Sequence, residues 1–254
     1  MKTANNIISL ISFLLIGLVS VPLLAQDDVA AQWDAIDDLD DAKDFKGSFE
    51  LLQPMEADYA ETNDYLWRMA RHHFTESDNT TDIEVKNSEV YKGMEYATKS
   101  LELAPNSSWA HGYYGILIGR VGEIEGTKQK IINSYQVKEH TLKAIELDPA
   151  YDGWVHVMGR WHFALSDLNW FERTVANLVY EKLPEASFEE AAEFFAKAIE
   201  LEPEDIRHYL WLGKSQLELD LDKEARANLN KAIELPAESE SDRIMQTEAK
   251  ELLD

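Results

Sequence analysis

A short phrase that ends in proline occurs three times along the chain. The copies are Ser100–Pro105, Ala144–Pro149 and Ala198–Pro203, and each begins with a small residue and places a Leu two positions before the proline. A shortened fourth copy is Ala232–Pro236. A small residue lets a neighbouring helix approach, the Leu closes a core, and the proline stops the helix. The phrase therefore predicts a series of helices that all end in the same way.

The residues downstream of these prolines test whether the repeat is real. A Gly follows each of the three full copies after ten residues, at Gly115, Gly159 and Gly213. Helices that stack in pairs also need small and large residues at fixed positions in the second helix of each pair. The small residues are Ala191 and Ala225, and the large one is Phe195. A generic helical bundle would not keep all of them in one register. The pattern is typical of tetratricopeptide repeats and predicts an all-α, right-handed tetratricopeptide-repeat superhelix of about four repeats.

The repeats are further apart than a plain array of about 34 residues requires. Pro105 and Pro149 are 44 residues apart, and Pro149 and Pro203 are 54 residues apart. The first insertion falls at Gly119–Gly126 and is expected to lengthen a turn and the helix after it. The second, 166–186, has apolar residues at helical spacings and is expected to form an amphipathic helix. Those residues are Leu168, Phe171, Val175, Leu178 and Val179, with Trp170 beside them.

The chain begins with the pattern of a secretory signal. Lys2 supplies a positive charge, residues 7–21 are apolar apart from Ser and Gly, and Ala25 precedes Gln26. Residues 1–25 are therefore predicted to be a signal peptide that is cleaved after Ala25. Leu23 is larger than the residue usually found three positions before such a cut, so an uncleaved anchor is the alternative. We expect an exported protein, periplasmic or secreted.

Residues 26–57 follow as a strongly acidic segment, with eight Asp between Gln26 and Asp44. The segment lacks the central Gly and the closing Glu of a calcium loop. We therefore expect solvated acidic faces on a pair of helices that cap the repeat array. Residues 58–254 are expected to form the tetratricopeptide-repeat solenoid itself.

The formal net charge of −24 limits the possible partners. Nucleic acids and anionic membranes are recognised through a basic footprint, so neither is expected to bind this protein. The chain has no Cys, which excludes disulfides, thiolate metal sites and a Cys nucleophile. The expected partner is a protein or peptide.

Basic and aromatic residues are expected on the concave face of this acidic protein. Arg71, Arg160 and Lys214 occupy the same groove-facing position in different repeats. The candidate ligand-binding residues are Trp67, Arg71, Phe74, Trp109, Arg120, His156, Arg160, Phe163 and Lys214. Arg pairs with carboxylates through two hydrogen bonds, and rings supply anchoring area. One hypothesis is a groove for an acidic or C-terminal carboxylate segment. The other is that these cations pair with the chain's own acids and stabilise the superhelix.

The sequence makes a weaker case for catalysis. His72 and His73 are adjacent, His156 and His162 are six residues apart, and no pair has the His-x-x-x-His spacing that places two metal ligands on one helix face. His156 is expected in the groove, where a packed or capping role is favoured over ligand contact. Neither a Gly-x-Ser-x-Gly elbow nor a Gly-x-x-x-x-Gly-Lys phosphate loop occurs. We expect no enzyme, no metal and no cofactor, and a hydrolase ranks last among the interpretations.

Two other clusters are interpreted as structural. The basic residues of the helix around 127–147 do not share one face, so solvation is favoured over a binding stripe; they are Lys128, Lys130, Lys138 and Lys143. Three tryptophans near the second insertion favour core packing of the inserted helix over a ligand pocket; they are Trp154, Trp161 and Trp170.

Seven segments outside the proline phrase match one known family: 66–71 (Leu-Trp-Arg-Met-Ala-Arg), 121–126 (Val-Gly-Glu-Ile-Glu-Gly), 131–140, 158–161 (Met-Gly-Arg-Trp), 169–173 (Asn-Trp-Phe-Glu-Arg), 212–214 and the tail 238–250. Through them the chain resembles the regulator of microtubule dynamics family, and both insertions fall where that family has them. The resemblance implies a tetratricopeptide-like fold and, from eukaryotic members, a microtubule-associated role. The signal suggests instead a bacterial envelope member. The net charge also opposes docking on an acidic microtubule surface.

Overall fold

The computed structural model describes residues 23–179 and 185–254, and this part of the chain contains helices and no strand. Most of the predicted signal peptide, residues 1–22, lies outside the described residues. Within the described part, no helix is both long enough and apolar enough to cross a membrane.

The helices follow one another with short connections. Their bounds are α1 Leu23–Asp41, α2 Phe45–Leu52, a 3₁₀ turn Gln53–Met55, α3 Glu56–Tyr59, α4 Asn63–Asp78, α5 Ile83–Leu103, α6 Ser108–Glu125, α7 Thr127–Leu147, α8 Asp152–Ser166, α9 Trp170–Val179, α10 Phe188–Leu201, α11 Ile206–Glu218, α12 Asp222–Glu234 and α13 Glu240–Glu251.

Local sequence explains where most of these helices begin. Thr62, Ser107 and Ser187 each accept a hydrogen bond from a backbone N–H three residues further on. Asp82 and Asp205 accept one from two residues further on. Such side chains satisfy N–H groups that have no partner within the helix.

The proline phrase marks where the second helices end. Helices α5, α7 and α10 stop two residues before Pro105, Pro149 and Pro203, and α12 stops two residues before Pro236. The predicted helix stops are therefore confirmed in all four copies.

Four helix pairs make up the repeats: α4 with α5, α6 with α7, α8 with α10, and α11 with α12. The regular spacing of the glycines corresponds to close approaches within these pairs. A Cβ added at Gly159 would lie 2.6 Å from the ring of Phe195, and one at Gly213 would lie 2.8 Å from Leu229. At Gly115 it would lie 3.0 Å from a side-chain oxygen of α7. The small and large packing residues are fully buried, as predicted; they are Ala191, Phe195 and Ala225.

The first insertion lengthens helices rather than a turn. Gly126 is the single residue between α6 and α7, which have 18 and 21 residues. It has a φ of 93° and a ψ of 178°, a backbone conformation that is open to Gly and strained for other residues. The expectation of a longer turn was wrong because this one Gly reverses the chain without additional loop residues.

The second insertion contains α9, so the expected helix is present. Leu168 and Ala176 are buried, while the side chains of Phe171, Leu178 and Val179 lie outside the described residues. Trp170 is 81% exposed, so its expected role in core packing was wrong. It is the first residue of α9, on a side of the helix away from the buried Ala176, and it contributes no buried ring.

The two ends of the array are covered by different helices. At the N-terminal end, α1 and α2 bury Trp33, Ile36 and Leu52 against α4. At the C-terminal end, α13 packs against α11 and α12 and buries Ala249. The inner layer of the array consists of the first helices of the repeats, and it is there that the predicted binding residues lie.

Candidate functional site

A cleft of about 200 Å³ lies on the inner layer, between α4, α6, α7 and α8, with Arg207 of α11 at its edge. Four of the nine predicted binding residues line it: Phe74, Arg120, His156 and Arg160. The other five do not line it: Trp67, Arg71, Trp109, Phe163 and Lys214. The structure therefore brings together only part of the predicted site.

The predicted aromatic anchors are mostly part of the core. Trp67 is 3% exposed and stacks on Trp109 with 4.5 Å between ring centroids. Trp67 belongs to a buried cluster with Tyr113 and Trp154, and the partly buried Trp109 packs against that cluster. Phe163 is buried and meets the ring of Trp211 edge-on at 5.2 Å. These rings hold neighbouring repeats together, and Phe74 is the predicted anchor that reaches the cleft.

Arg71 is paired with acids from the N-terminal cap. Its Nη2 lies 2.7 Å from Asp37 Oδ1 and its Nε lies 3.1 Å from Asp40 Oδ2. Arg68 pairs with the other oxygen of Asp37 at 2.6 Å. Burial raises the pKa of Asp40 to about 6, outweighing the opposing attraction of Arg71. Asp37 and Asp40 thus face inward, which corrects the expectation that the acids of this segment form a solvated face.

Arg120 and Lys214 are also engaged with acids of the chain. Both oxygens of Asp78 accept hydrogen bonds from Arg120 Nη2, at 2.8 and 3.0 Å, and Glu123 lies 3.3 Å from Nη1. Lys214 Nζ donates to Glu248 of α13 at 2.6 Å. For these two side chains and for Arg71, the structure matches the interpretation that the cations stabilise the superhelix.

Arg160 differs from the other groove cations. Among the described residues, no carboxylate oxygen lies within ion-pair distance of its guanidinium. The group lies over the Trp211 ring, 3.7 Å from the ring centre. Burial and the neighbouring charge of Arg120 lower the pKa of Arg160 to about 10. Glu123, Asp78 and Glu248 act on it from a greater distance. The cleft wall thus carries a half-buried cation that touches no carboxylate in the described part of the chain.

His156 is buried and belongs to a hydrogen-bonded series. Its Nδ1 lies 3.0 Å from Nδ1 of His208, and His208 Nε2 donates to Asp152 Oδ2 at 3.0 Å. Burial and the proximity of His208 and Arg207 lower the pKa of His156. The neutral imidazole therefore joins α8 to α11, which agrees with the packed role favoured from the sequence.

Asp152, Asp205 and His208 are close enough to be considered as metal ligands, since one ligand atom of each lies within 4.8 Å of the others. Arg207, however, lies between the two carboxylates, with Nη2 2.5 Å from Asp205 Oδ2 and 3.5 Å from Asp152 Oδ2. Burial opposes ionisation of Asp205, but Arg207 outweighs it and lowers the pKa of that carboxyl. Because the guanidinium already supplies the positive charge, we interpret this group as an ion-pair network.

Several residues of the site were not identified from the sequence. Trp211 supports Arg160, and Lys130 lines the cleft although solvation was favoured for it. Lys138 lies 4.6 Å from the centre of the Trp161 ring, so it too is not simply solvated. One sequence signal was available for the Arg71 contacts. Asp37 and Asp40 have the same three-residue spacing as Arg68 and Arg71, which suits pairing between two helix faces.

Comparison with known proteins identifies relatives across most of the chain. The family model described as Regulator of microtubule dynamics protein 1-3 matches residues 29–254. Regulator of microtubule dynamics protein 1 of Mus musculus is 39% identical over 212 residues, covering 82% of this chain and 69% of that protein. The protein of the same name in Caenorhabditis elegans is 33% identical over 217 residues, covering 85% of this chain and 96% of that protein.

A solved structure shows the same fold. A thermophilic tetratricopeptide-repeat protein of Thermus thermophilus superposes with a TM-score of 0.61 at 14% identity, covering 89% of this chain and 99% of that one. At this identity the likeness concerns the fold alone, and it supports the tetratricopeptide-like, all-α solenoid. Together with the family match and the resembling segments, it leads to one conclusion. The chain belongs to the regulator of microtubule dynamics protein 1–3 family.

Proposed function

We propose that this protein is a non-enzymatic scaffold that binds a polypeptide segment in its concave groove, where Arg160 receives a carboxylate of that segment. The tetratricopeptide-like fold and the family support a protein-binding scaffold. The observation that carries the finer proposal is the position of Arg160, a half-buried cation on the cleft wall without a carboxylate partner among the described residues.

A cation that is partly removed from water without a carboxylate in direct contact is costly for the free protein. A ligand carboxylate placed beside Arg160 would offset this cost, and the planar guanidinium offers two parallel donors to it. The ring of Trp211 covers one face of the guanidinium and does not occupy the plane in which its N–H groups donate to a carboxylate. Apolar side chains, including Ile116, Val157 and Leu165, line the cleft beside it.

The charge balance narrows the class of ligand. Arg71, Arg120 and Lys214 are each paired with acids of the chain. Of the four cations predicted for the groove, Arg160 alone has no carboxylate partner among the described residues, so the groove is not a continuous basic stripe. The protein as a whole carries a net charge of −24, which repels a highly acidic partner. We therefore expect a segment with a single carboxylate, either a side chain or a C-terminus, next to apolar residues.

Panning a displayed peptide library on residues 26–254 tests the proposal. Enriched peptides should carry one Asp, Glu or free C-terminus beside apolar residues, and their binding should weaken as salt screens the charge pair at a Debye length of about 8 Å. Arg160→Met should reduce binding at least tenfold. Lys128→Met, which removes an exposed cation of α7, is the matched control and should leave binding unchanged. Equal binding by the Arg160→Met variant would exclude this role for Arg160.

A second candidate function is regulation of microtubules, because the relatives are named as regulators of microtubule dynamics. The acidic surface of the chain favours the peptide groove over direct contact with an acidic filament. Cosedimentation of the protein with assembled microtubules at low salt distinguishes the two. Saturable binding that Arg160→Met leaves intact would favour the filament and count against the groove.

Export is also a proposal, supported by the apolar segment 7–21 and by Ala25-Gln26. Expression of the full chain in a secreting host followed by intact-mass measurement should give a mature protein that begins at Gln26. A mass that still includes residues 1–25 would replace the cleaved signal with an N-terminal anchor.

A further inference from the structure

The two ends of the repeat array meet. Lys43, just after α1, donates from Nζ to Asp242 Oδ2 at 2.8 Å, although 199 positions separate the two residues. The backbone N–H of Ser241 donates to Asn79 Oδ1, at the end of α4, at 3.3 Å. The start of α13 therefore contacts the C-terminal ends of both α1 and α4. The array curves far enough for its last helix to return to its first repeat.

The contact between the ends is polar and small. Besides the bond to Asp242, Lys43 lies 3.9 Å from the half-exposed Glu238. The apolar cluster at the N-terminal end and the one at the C-terminal end have no residue in common among the described residues. Burial of apolar surface, the main stabilising contribution to the other helix contacts, thus contributes little here. We call this set of contacts, from Lys43 and Asn79 to 238–242, the clasp.

One side of the clasp is fixed in advance. The carboxylate of Asp242 also accepts hydrogen bonds from the backbone N–H groups of Glu238 and Ser239, each at 3.0 Å. These bonds cap α13 and do not involve the N-terminal end. The acceptor therefore stays oriented if Lys43 moves away, so the Asp242 side of the contact needs no reordering when the clasp closes again.

The clasp is directly connected to the cleft. Asn79 follows Asp78, whose carboxylate holds Arg120 on the cleft wall. On the opposite side, Glu248 of α13 binds Lys214 of α11, whose Nζ lies 3.9 Å from the centre of the same Trp211 ring that supports Arg160. Helix α13 thus contacts both the first repeat, at Asn79, and the last one, at Lys214.

We propose that the clasp is a reversible closure of the groove, which opens to admit a polypeptide segment and closes around it. That the closure admits a polypeptide rests on the proposed function, whereas the opening and closing motion does not. The ion pair joins a partly exposed Lys43 to a buried Asp242. Two backbone N–H groups still bind the Asp242 carboxylate when Lys43 leaves, so opening does not strand an unsatisfied buried charge, and salt weakens the pair through its exposed partner. The packed repeats on either side stay intact when it breaks, so opening requires only a change in curvature of the array.

Distance measurement between spin labels tests the motion without a ligand. The chain has no Cys, so labels attach only at Lys46→Cys on α2 and Lys250→Cys on α13, two exposed positions on opposite sides of the clasp. At about 50 mM salt the labelled protein should show one short distance population. At about 500 mM salt, where screening is strong, a second, longer population should appear.

Substitutions in the clasp should have the same effect at low salt. Lys43→Met removes the ion pair, and Asn79→Ala removes the supporting acceptor; each should populate the longer distance, and together they should make it dominant. Arg243→Met is the matched control, because Arg243 is an exposed cation of α13 that pairs only with Glu240 of the same helix among the described residues. Circular dichroism should show unchanged helix content in all variants.

Two distance results would overturn the clasp, and one combination of results separates the clasp from the proposed function. An unchanged short distance in the Lys43→Met/Asn79→Ala double variant at high salt would show a rigid ring and overturn the clasp. A long distance in the unsubstituted protein at low salt would show that the ends do not join, which also overturns it. If the labels report opening but the peptide library gives no enrichment, the reversible closure stands and the proposed function fails.

Discussion

Arg71 and Arg160 occupy the same position in the first and third repeats, yet their surroundings are opposite. Arg71 is 6% exposed and binds two carboxylates of α1. Arg160 is half-buried, lies over Trp211 and has no carboxylate partner in the described part of the chain. The first repeat adjoins the acidic cap, whereas the third adjoins a repeat that presents an aromatic ring. The comparison teaches that a repeat position fixes where a side chain points, while the neighbouring helix determines what it does.

The largest expected effect concerns Arg71. Arg71→Met leaves the carboxylates of Asp37 and Asp40 close together without their shared cation, and breaking such a partly buried pair should destabilise the protein by about 3 kcal/mol. Urea denaturation followed by circular dichroism measures the change. A loss near zero would mean that Arg68 alone compensates the acids, and the contrast between the two arginines would disappear.

A second test concerns the packing that places Arg160. Gly159 precedes it, and a side chain there would collide with Phe195 of α10, since even a Cβ would lie 2.6 Å from that ring. Gly159→Leu should overpack this contact and destabilise the protein by roughly 2 kcal/mol. Ala227→Leu, at an exposed position of α12, is the control and should leave the thermal midpoint in place. An unchanged midpoint for Gly159→Leu would contradict the repeat register.

The pH dependence of stability tests the environment of Asp40, one of the two acids that pair with Arg71. Because the pKa of Asp40 rises to about 6 in the folded protein, the folded state holds this proton more tightly than the unfolded state does. The contribution of Asp40 to stability is complete below its unfolded pKa of 3.8 and is lost as the pH rises through about 6. Asp40→Asn removes that loss.

Relative to the unsubstituted protein, the Asp40→Asn variant should therefore gain about 2 kcal/mol in free energy of unfolding between pH 4 and pH 6. The comparison must be made between the variant and the unsubstituted protein at each pH. Burial also lowers the pKa of His72 to about 4, so the contribution of His72 to the free energy of unfolding rises with pH over the same range and is present in both proteins. Urea titrations at a series of pH values measure the difference. A constant difference between the two proteins would show that Asp40 titrates normally.

The smallest expected effect concerns Arg160. Arg160→Met breaks no ion pair among the described residues and gives up only the contact with the Trp211 ring, so stability should change by less than about 1 kcal/mol. The same urea titration as for Arg71 measures it. A loss as large as that of Arg71→Met would show that Arg160 is a structural residue, and the argument for ligand binding there would fail.

Much of the fold could be predicted from local sequence. The proline phrase located the ends of α5, α7, α10 and α12, and the glycines identified where paired helices touch. The amphipathic spacing predicted α9. These signals are local or periodic, and they act through the backbone restriction of proline and the absence of a side chain in glycine.

The candidate site was predicted only in part. Four of the nine proposed residues line the cleft, because the repeat register correctly assigned them to the inner layer. Trp67 and Trp109 lie on the same layer but are covered by neighbouring rings. The exposure of a side chain on a concave surface depends on the distance between successive repeats. That distance cannot be read from the periodicity of the sequence or from the spacing of its motifs.

The sequence by itself determined the helices, their stops and their order, since these follow from residues within a few positions of one another. The tertiary structure decided which groove cations are free. The acids that neutralise Arg71 lie 34 and 31 positions away, and Lys43 meets Asp242 across 199 positions. Ion pairs form wherever the curvature of the array brings charges within a few ångströms. That curvature is the sum of all helix-packing angles, so it exists only in the assembled structure.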